Sequence, residues 1–332
     1  MRKFSRPKVV ISRCIEFDHC RYDGSMIKSD FALALKPFVD FIPVCPEVEM
    51  GLGVPRDTIR LVSAGGEVRL MQPATGLDVT DRMNEFSSRF LSSLPEEVDG
   101  FILKFRSPSC GMKDIRVYSS GRGAAAGKAA GLFGAAVVRA FPGLAVEDEG
   151  RLRNFNIREH FLTRLYALAG LRQAGIAGKT SALVRFQEES KLLLMAHSQK
   201  ETRALGNIVA NRQGLGFADQ YALYREHLEK ALLHPPRAAS KANVFLHCLG
   251  YFKDELSPEE KEHFLKSLDR YRNKKIPSSA LLSMLQSWIA RYSQDYLKGQ
   301  TLFEPYPEEL VELCGDSQCE WAGEELFLGR GG

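Results

Sequence analysis

Three cysteines each stand just past a short apolar run: Cys14 after KVVIS, Cys45 after FIPV, and Cys110 after FILKF, within RSPSCG. A free cysteine is most often a small buried hydrophobe. Three at one kind of position, each followed within a few residues by Pro, Gly or an acidic side chain, suggest a shared site instead. Three thiolates without an evident fourth suit a metal centre that keeps one position open. Catalytic zinc is built that way, and so is an iron–sulfur cluster held by three cysteines; the spacing does not choose between them. Close CxxC pairs, the common mark of zinc, are absent. Cys20 lies six residues after Cys14 and is open to three readings: a fourth ligand, a thiol beside the ligands, or a structural residue of the turn. Such chemistry also needs a proton manager. Glu47, two residues after Cys45, could act as general base or acid at the same mouth, although a carboxylate in an ordinary loop is simply exposed.

The elements that must position these residues alternate between strand and helix through the first half. KVVIS, FIPVC and DGFILKF are apolar, β-rich runs. SDFALALKPFVD has helical spacing with Ser29 as its N-cap, and DVTDRMNEFSSRFLSSL has the phase of an amphipathic helix. TIRLVSAGGEVRLM predicts two strands around a Gly-Gly turn, and AGKAAGLFGAAVVRAF a small-residue helix packed on a sheet. The alternation predicts an α/β fold: a Rossmann-like, mostly parallel sheet with helices on both faces. In such sheets ligands bind beyond the carboxyl ends of the strands, where the three cysteines fall. From about Arg151 the periodicity becomes helical throughout, and Ser257, Pro258 and Glu260 form a strong helix start. An all-α domain follows the sheet.

The chain has 332 residues, 44% hydrophobic and 26% charged, as in an ordinary globular protein of about two domains. Seven cysteines are too few for a disulfide-held secreted fold. The apolar run near the N-terminus is too short for a signal peptide, and no stretch reaches the roughly 18 apolar residues of a membrane span. A cytoplasmic location with reduced thiols is therefore expected. The net charge of +4 is uneven: +1 over residues 1–150, +8 over 151–245 and −5 over 246–332. A basic middle segment suggests an anionic partner, or only a solvated helix face.

GRGAAAGK invites a phosphate-loop reading and fails on spacing, with Lys128 followed by Ala129. It reads instead as a flexible loop before a helix. Cys248, Cys314 and Cys319 lie in the helical half and tail, where structural or incidental roles are expected.

The strings SRC…CRYDG, VCPEVEMGLGVPR and RSPSCG, in that order, resemble the thiouracil desulfidase (TudS) family. LVRFQEESKLLLMAHSQKETRALGNIVA resembles the YbgA-type helical domain, fused to it in the tRNA 4-thiouridine desulfidases (RudS). The resemblance implies a catalytic domain over residues 1–165 and a helical domain over 166–314, and the lack of a clear period over 315–332 predicts an irregular tail. It implies a 4Fe-4S cluster on Cys14, Cys45 and Cys110, whose remaining iron takes the sulfur of a thiolated pyrimidine. A soft thiocarbonyl sulfur suits such a thiophilic site; water replaces sulfide at carbon with no net electron transfer. Ser107 resembles the family's catalytic serine, able to hydrogen-bond the water or the base carbonyl, with Ser109 the lesser candidate and turn capping the bland role for both. Arg21 and Asp23 could position the ring, though an Asx turn before Gly24 is the simpler reading.

In the helical half, Lys191, His197, Lys200 and Arg203 could grip phosphates, which gives affinity without sequence information. A free base needs no such surface, whereas thiouridine inside tRNA does, with its base turned out of the stack. The expected activity is conversion of 4-thiouridine, in tRNA or as a nucleotide, to uridine with release of sulfide. Free thiopyrimidines as substrates, a non-catalytic metal-dependent RNA-binding protein and a three-cysteine zinc hydrolase are the competing readings.

Overall fold

The computed structural model describes residues 2–95, 97–119 and 123–311. It divides into two compact units, one of residues 6–161 and one formed by residues 1–5 with the chain from 162 onward. Cys314, Cys319 and the expected irregular tail lie outside the described residues.

The first unit holds two sheets. In the first, β1 (Lys8–Ser12), β2 (Asp40–Val44), β6 (Gly100–Leu103) and β9 (Ala145–Asp148) are all parallel, in the order β2-β1-β6-β9. Val10 of β1 faces Ile42 on one side and Phe101 on the other. Val9 to Ser12 and all of β6 are buried, the mark of parallel strands covered on both faces. The strand order reverses direction between β1 and β6, and that switch point opens a crevice beyond the strand ends. The expected α/β class with a parallel sheet is thus the observed one.

The second sheet is mixed, and only its hairpin was foreseen. It runs β5-β4-β3-β7-β8, from β3 (Arg60–Ala64), β4 (Glu67–Gln72), β5 (Leu77–Asp78), β7 (Ile115–Tyr118) and β8 (Ala125–Ala129). Gly65 and Gly66 turn β3 into β4 with φ of 60° and 88°, which a tight hairpin requires of both central residues. The expected helix over AGKAAGLFGAAVVRAF is corrected in its first part. Residues 125–129 pair antiparallel with β7, and the helix α4 spans only Leu132–Ala140. Cross-strand pairing overrides the helical preference of alanine here, and over residues 125–128 a strand stands where a flexible loop was expected. The remaining helices of the unit are α1 (Asp30–Leu35), capped by Ser29, the short α2 (Pro46–Glu49) and α3 (Thr80–Ser93).

α5 (Phe155–Ile176) contains the boundary between the units. The second unit continues with α6 (Thr180–His197), α7 (Gln199–Ala210), α8 (Phe217–Ala231), α9 (Ala238–Gly250), α10 (Pro258–Arg272), α11 (Ser278–Arg291) and α12 (Asp295–Lys298). Its core gathers Leu192, Phe245, Phe252, Phe264, Leu285 and Trp288. The Ser257–Glu260 capping box is present, with Ser257 N–H donating to Glu260 at 2.8 Å and Glu260 N–H to Ser257 Oγ at 3.2 Å. Among the described residues no helix is long and apolar enough to cross a membrane.

Candidate functional site

Beyond the carboxyl ends of β1, β2 and β6 lies a cavity of about 330 Å³, whose walls include Cys14, Cys45, Cys110, Glu47, Ser107 and Ser109. The turn after β1 presents Cys14, and β2 runs directly into Cys45. Pro46 then opens α2 with its preset φ and brings Glu47 onto the same wall. The SPSCG loop carries Cys110 and is held by the start of α4. Gly131 N–H donates to Gly111 O at 2.8 Å and Gly134 N–H to Ser109 O at 3.0 Å. A Cβ at Gly131 would come within 2.6–2.8 Å of the carbonyl oxygens of Ser107, Pro108 and Ser109. That approach admits only glycine.

All three thiols are buried and free. Cys20 is buried too, and its carbonyl accepts from Cys45 Sγ at 3.8 Å, with its own thiol interacting with those of Cys14 and Cys45. The bond to Cys14 raises the Cys20 pKa. The bond to Cys20, followed by burial, pushes the Cys45 thiol far above its ordinary range, and burial pushes Cys110 up to about 12. Without a cation these groups stay protonated at neutral pH, so a metal must displace their protons to bind.

Three cysteines line one cavity, a donor set whose chemistry suits a soft, thiophilic metal group; among the described residues no group of three or more His, Cys, Asp or Glu that could hold a metal ion is found. Arg13, also on the wall, has a buried Nε with no hydrogen-bond acceptor. That Nε is 3.6 Å from the Asp18 carboxylate, while Nη1 pairs with Glu49 at 3.1 Å. A guanidinium on this wall would offset the charge of the cysteines once a metal group deprotonates them.

Glu47 is held from both sides. Arg56, which the sequence reading did not single out, donates to Glu47 Oε2 from Nε at 2.9 Å and Nη2 at 2.7 Å. Both side chains are largely buried, 6% and 14% exposed, so the pair is a charge-assisted fork out of water. The other oxygen, Oε1, accepts from Ser109 Oγ at 2.6 Å, and Ser109 Oγ lies 2.8 Å from Ser107 Oγ. Ser107 Oγ accepts the backbone N–H groups of Ser109 and Cys110 at 3.2 and 3.1 Å. Each hydroxyl has one hydrogen. That of Ser109 goes to Glu47, so that of Ser107 goes to Ser109, giving a directed chain Ser107→Ser109→Glu47. Ser109, the lesser candidate, thus touches Glu47, while Ser107 both caps the turn and begins the chain.

Arg21 lines the cavity, whereas Asp23 makes the Asx turn. Its carboxylate accepts from Ser25 Oγ at 2.6 Å and Ser25 N–H at 3.1 Å, and these bonds lower its pKa. Lys191, Lys200 and Arg203 are exposed on the helical unit. His197 is part-buried, its Nδ1 3.1 Å from the His234 carbonyl, and burial pushes its pKa down to about 4. It is neutral at pH 7 and supplies no ionic attraction for a phosphate. Cys248 is a core residue of the same unit.

Fold and cavity define a class: an α/β protein with a thiol-lined crevice at the carboxyl edge of a parallel sheet, joined to an all-helical unit. The family described as 2-thiouracil desulfurase matches residues 9–149, and the family described as a protein of unknown function, DUF1722, matches residues 191–307. The uncharacterized protein YbgA of Escherichia coli (strain K12) is 34% identical over 148 residues, 44% of this chain and 88% of YbgA. The uncharacterized protein YbbK of Bacillus subtilis (strain 168) is 31% identical over 109 residues, 31% of this chain and 72% of YbbK. The chain belongs to the family of YbgA and to the family of YbbK. The solved structure of a 4Fe-4S-dependent thiouracil desulfidase, TudS, is 30% identical; the match covers 45% of this chain and 94% of that one, with a TM-score of 0.36.

Proposed function

We propose that the α/β unit is a non-redox desulfidase of thiolated pyrimidines, with 4-thiouridine, as a nucleotide or within tRNA, as its substrate. The observation that carries the reading is the single cavity on which Cys14, Cys45, Cys110, Glu47, Ser107 and Ser109 meet. The 2-thiouracil desulfurase match over residues 9–149 agrees with it. Cys14, Cys45 and Cys110 would hold a 4Fe-4S cluster, with Cys20 outside the ligand set. When bound, such a cluster supplies a thiophilic Lewis acid suited to a thiocarbonyl sulfur.

The chain's own residues manage the water and the protons. Ser109 Oγ, which accepts only from Ser107, has a second lone pair to offer a water on the cavity wall, and its own hydroxyl leads that water's proton to Glu47, with Ser107 fixing Ser109 from behind. Arg56 fixes the acceptor carboxylate so that no reorientation is needed during the reaction. Overall C=S and water become C=O and hydrogen sulfide, with no electrons exchanged.

Support for RNA as a partner comes from the net +8 of residues 151–245 and from the exposed Lys191, Lys200 and Arg203. The test is anaerobic incubation of the iron-loaded protein with 4-thiouridine monophosphate, thiolated tRNA and 2-thiouracil, following near-ultraviolet thione absorbance and sulfide. Loss of the thione with matching sulfide from the nucleotide or the tRNA is expected. Turnover of the free base alone would remove the thiouridine reading, and no sulfide from any of the three would remove the desulfidase.

A further inference from the structure

Ser12, the last residue of β1, is tied to all three segments that bear the cavity's cysteines. Its carbonyl accepts the Ile15 N–H at 2.8 Å and so closes the turn that carries Cys14. In the β1–β2 register it stands opposite Val44, the residue before Cys45. Its side-chain oxygen accepts the Lys104 N–H at 2.9 Å, where the chain leaves β6 for the SPSCG loop. Lys104 is itself fixed, because its Nζ donates to the Phe105 carbonyl at 2.8 Å and pairs with Glu149. Ser12 lines the cavity and is 2% exposed.

The hydrogen of the Ser12 hydroxyl decides what this side chain does. A hydroxyl has one hydrogen and two lone pairs. One lone pair takes the Lys104 N–H, and the hydrogen must go to an acceptor. The Cys110 thiol meets two hydroxyls, those of Ser12 and Ser109. Ser109 Oγ lies 3.8 Å from the sulfur and commits its hydrogen to Glu47 at 2.6 Å, which leaves Ser12 as the donor. Burial raises the Cys110 pKa, and the hydrogen bond with Ser12 is the largest effect acting the other way. A bond that favours thiolate over thiol is one whose hydrogen points at sulfur.

The geometry points to Ser12 as a positioning residue that donates an O–H···S hydrogen bond to the Cys110 thiolate when that thiolate serves as a cluster ligand. This rests on the desulfidase reading and deepens it. The bond orients Cys110 and draws charge from its sulfur, so that the thiolate is a weaker donor and the bound metal a better acceptor for a soft substrate sulfur. Hydrogen bonds to ligand sulfurs also set the reduction potential of a cluster. They raise it, because the reduced state carries more negative charge to stabilise.

Anaerobic redox titration of the iron-loaded protein reads this bond apart from turnover. Ser12→Ala removes the hydroxyl and Ser12→Thr restores it. We expect Ser12→Ala to titrate at a more negative potential than wild type and to lose about ten- to a hundredfold in turnover, and Ser12→Thr to return both towards wild type. Resonance Raman spectra in H2O and D2O read the same hydrogen without a substitution: exchange should shift the iron–cysteine stretching bands of wild type, and shift them less in Ser12→Ala. A Ser12→Ala potential equal to that of wild type, or one that Ser12→Thr shares, overturns the assignment. So does a wild-type spectrum without an isotope shift, whatever becomes of the variants. Wild type that takes up no cluster removes both this bond and the cradle on which the desulfidase reading stands. A Ser12-dependent potential without sulfide from any thiopyrimidine keeps the bond and removes the desulfidase, and sulfide release with a potential indifferent to Ser12 does the opposite.

Discussion

Arg56 spends one guanidinium on four hydrogen bonds, two to Glu47 and one each to the carbonyls of Cys20 and Gly53 at 3.0 and 3.1 Å. It ties the candidate proton acceptor to the loop bearing the fourth thiol. Arg56→Ala strands a buried carboxylate, a loss of about 3 kcal/mol in stability. It should lower turnover between about ten- and a hundredfold, as for other residues that orient a reacting group. Arg56→Lys cannot rebuild the fork and should recover stability more than turnover; denaturant titration and steady-state rates compare the two. Cys14, Cys45, Cys110 and Glu47 were legible as a group because each follows a strand whose apolar run is plain in the sequence. Arg56 was not, since its partner is nine residues away across a loop without a period. The order of the two serines was likewise hidden, because it depends on which hydroxyl reaches across to α2.

At the scale of elements, the start of α4 sets the SPSCG loop through close backbone contact. Gly131→Ala places a methyl among three carbonyl oxygens and should cost about 1–3 kcal/mol. Because the displaced loop carries the serine chain, turnover should fall further than the melting temperature suggests. The helices of the second unit were readable from caps and period, as Ser257 and Glu260 illustrate. Strand β8 was not, because alanine and glycine carry no strand signal and only pairing with β7 makes the segment extended. At the end of α6, His197 titrates near 4 when folded against an ordinary 6.5. The unfolded chain therefore takes up its proton first. Stability should be full above about pH 6.5 and fall as the pH drops towards 4, by on the order of 2 kcal/mol at pH 5. His197→Gln should flatten that stretch of the profile in thermal melts at stepped pH.

At the scale of the whole molecule, the two units carry different kinds of charge. In the α/β unit, cations crowd one small cavity; in the helical unit, Lys200 and Arg203 lie exposed on α7. If that surface holds RNA, the double substitution Lys200→Glu and Arg203→Glu removes two phosphate contacts. Binding of tRNA, followed by anisotropy over a salt series, should weaken, and the slope of log K against log salt should flatten by about 1.4–1.8. An unchanged slope would place the RNA elsewhere. The uneven charge was plain in the sequence, but which cations are neutralised by neighbours was not. His197 counted as a basic residue until its burial was seen.

The desulfidase chemistry depends on three thiols forming one cradle with the fourth outside it. Iron and acid-labile sulfide, measured after anaerobic reconstitution of the wild type and of the Cys14→Ser, Cys20→Ser, Cys45→Ser and Cys110→Ser variants, examine that directly. We expect about four of each per chain in the wild type and in Cys20→Ser, and a loss of the cluster in the other three. Full iron content in any of those three, or its loss in Cys20→Ser, would contradict the assignment of the cradle.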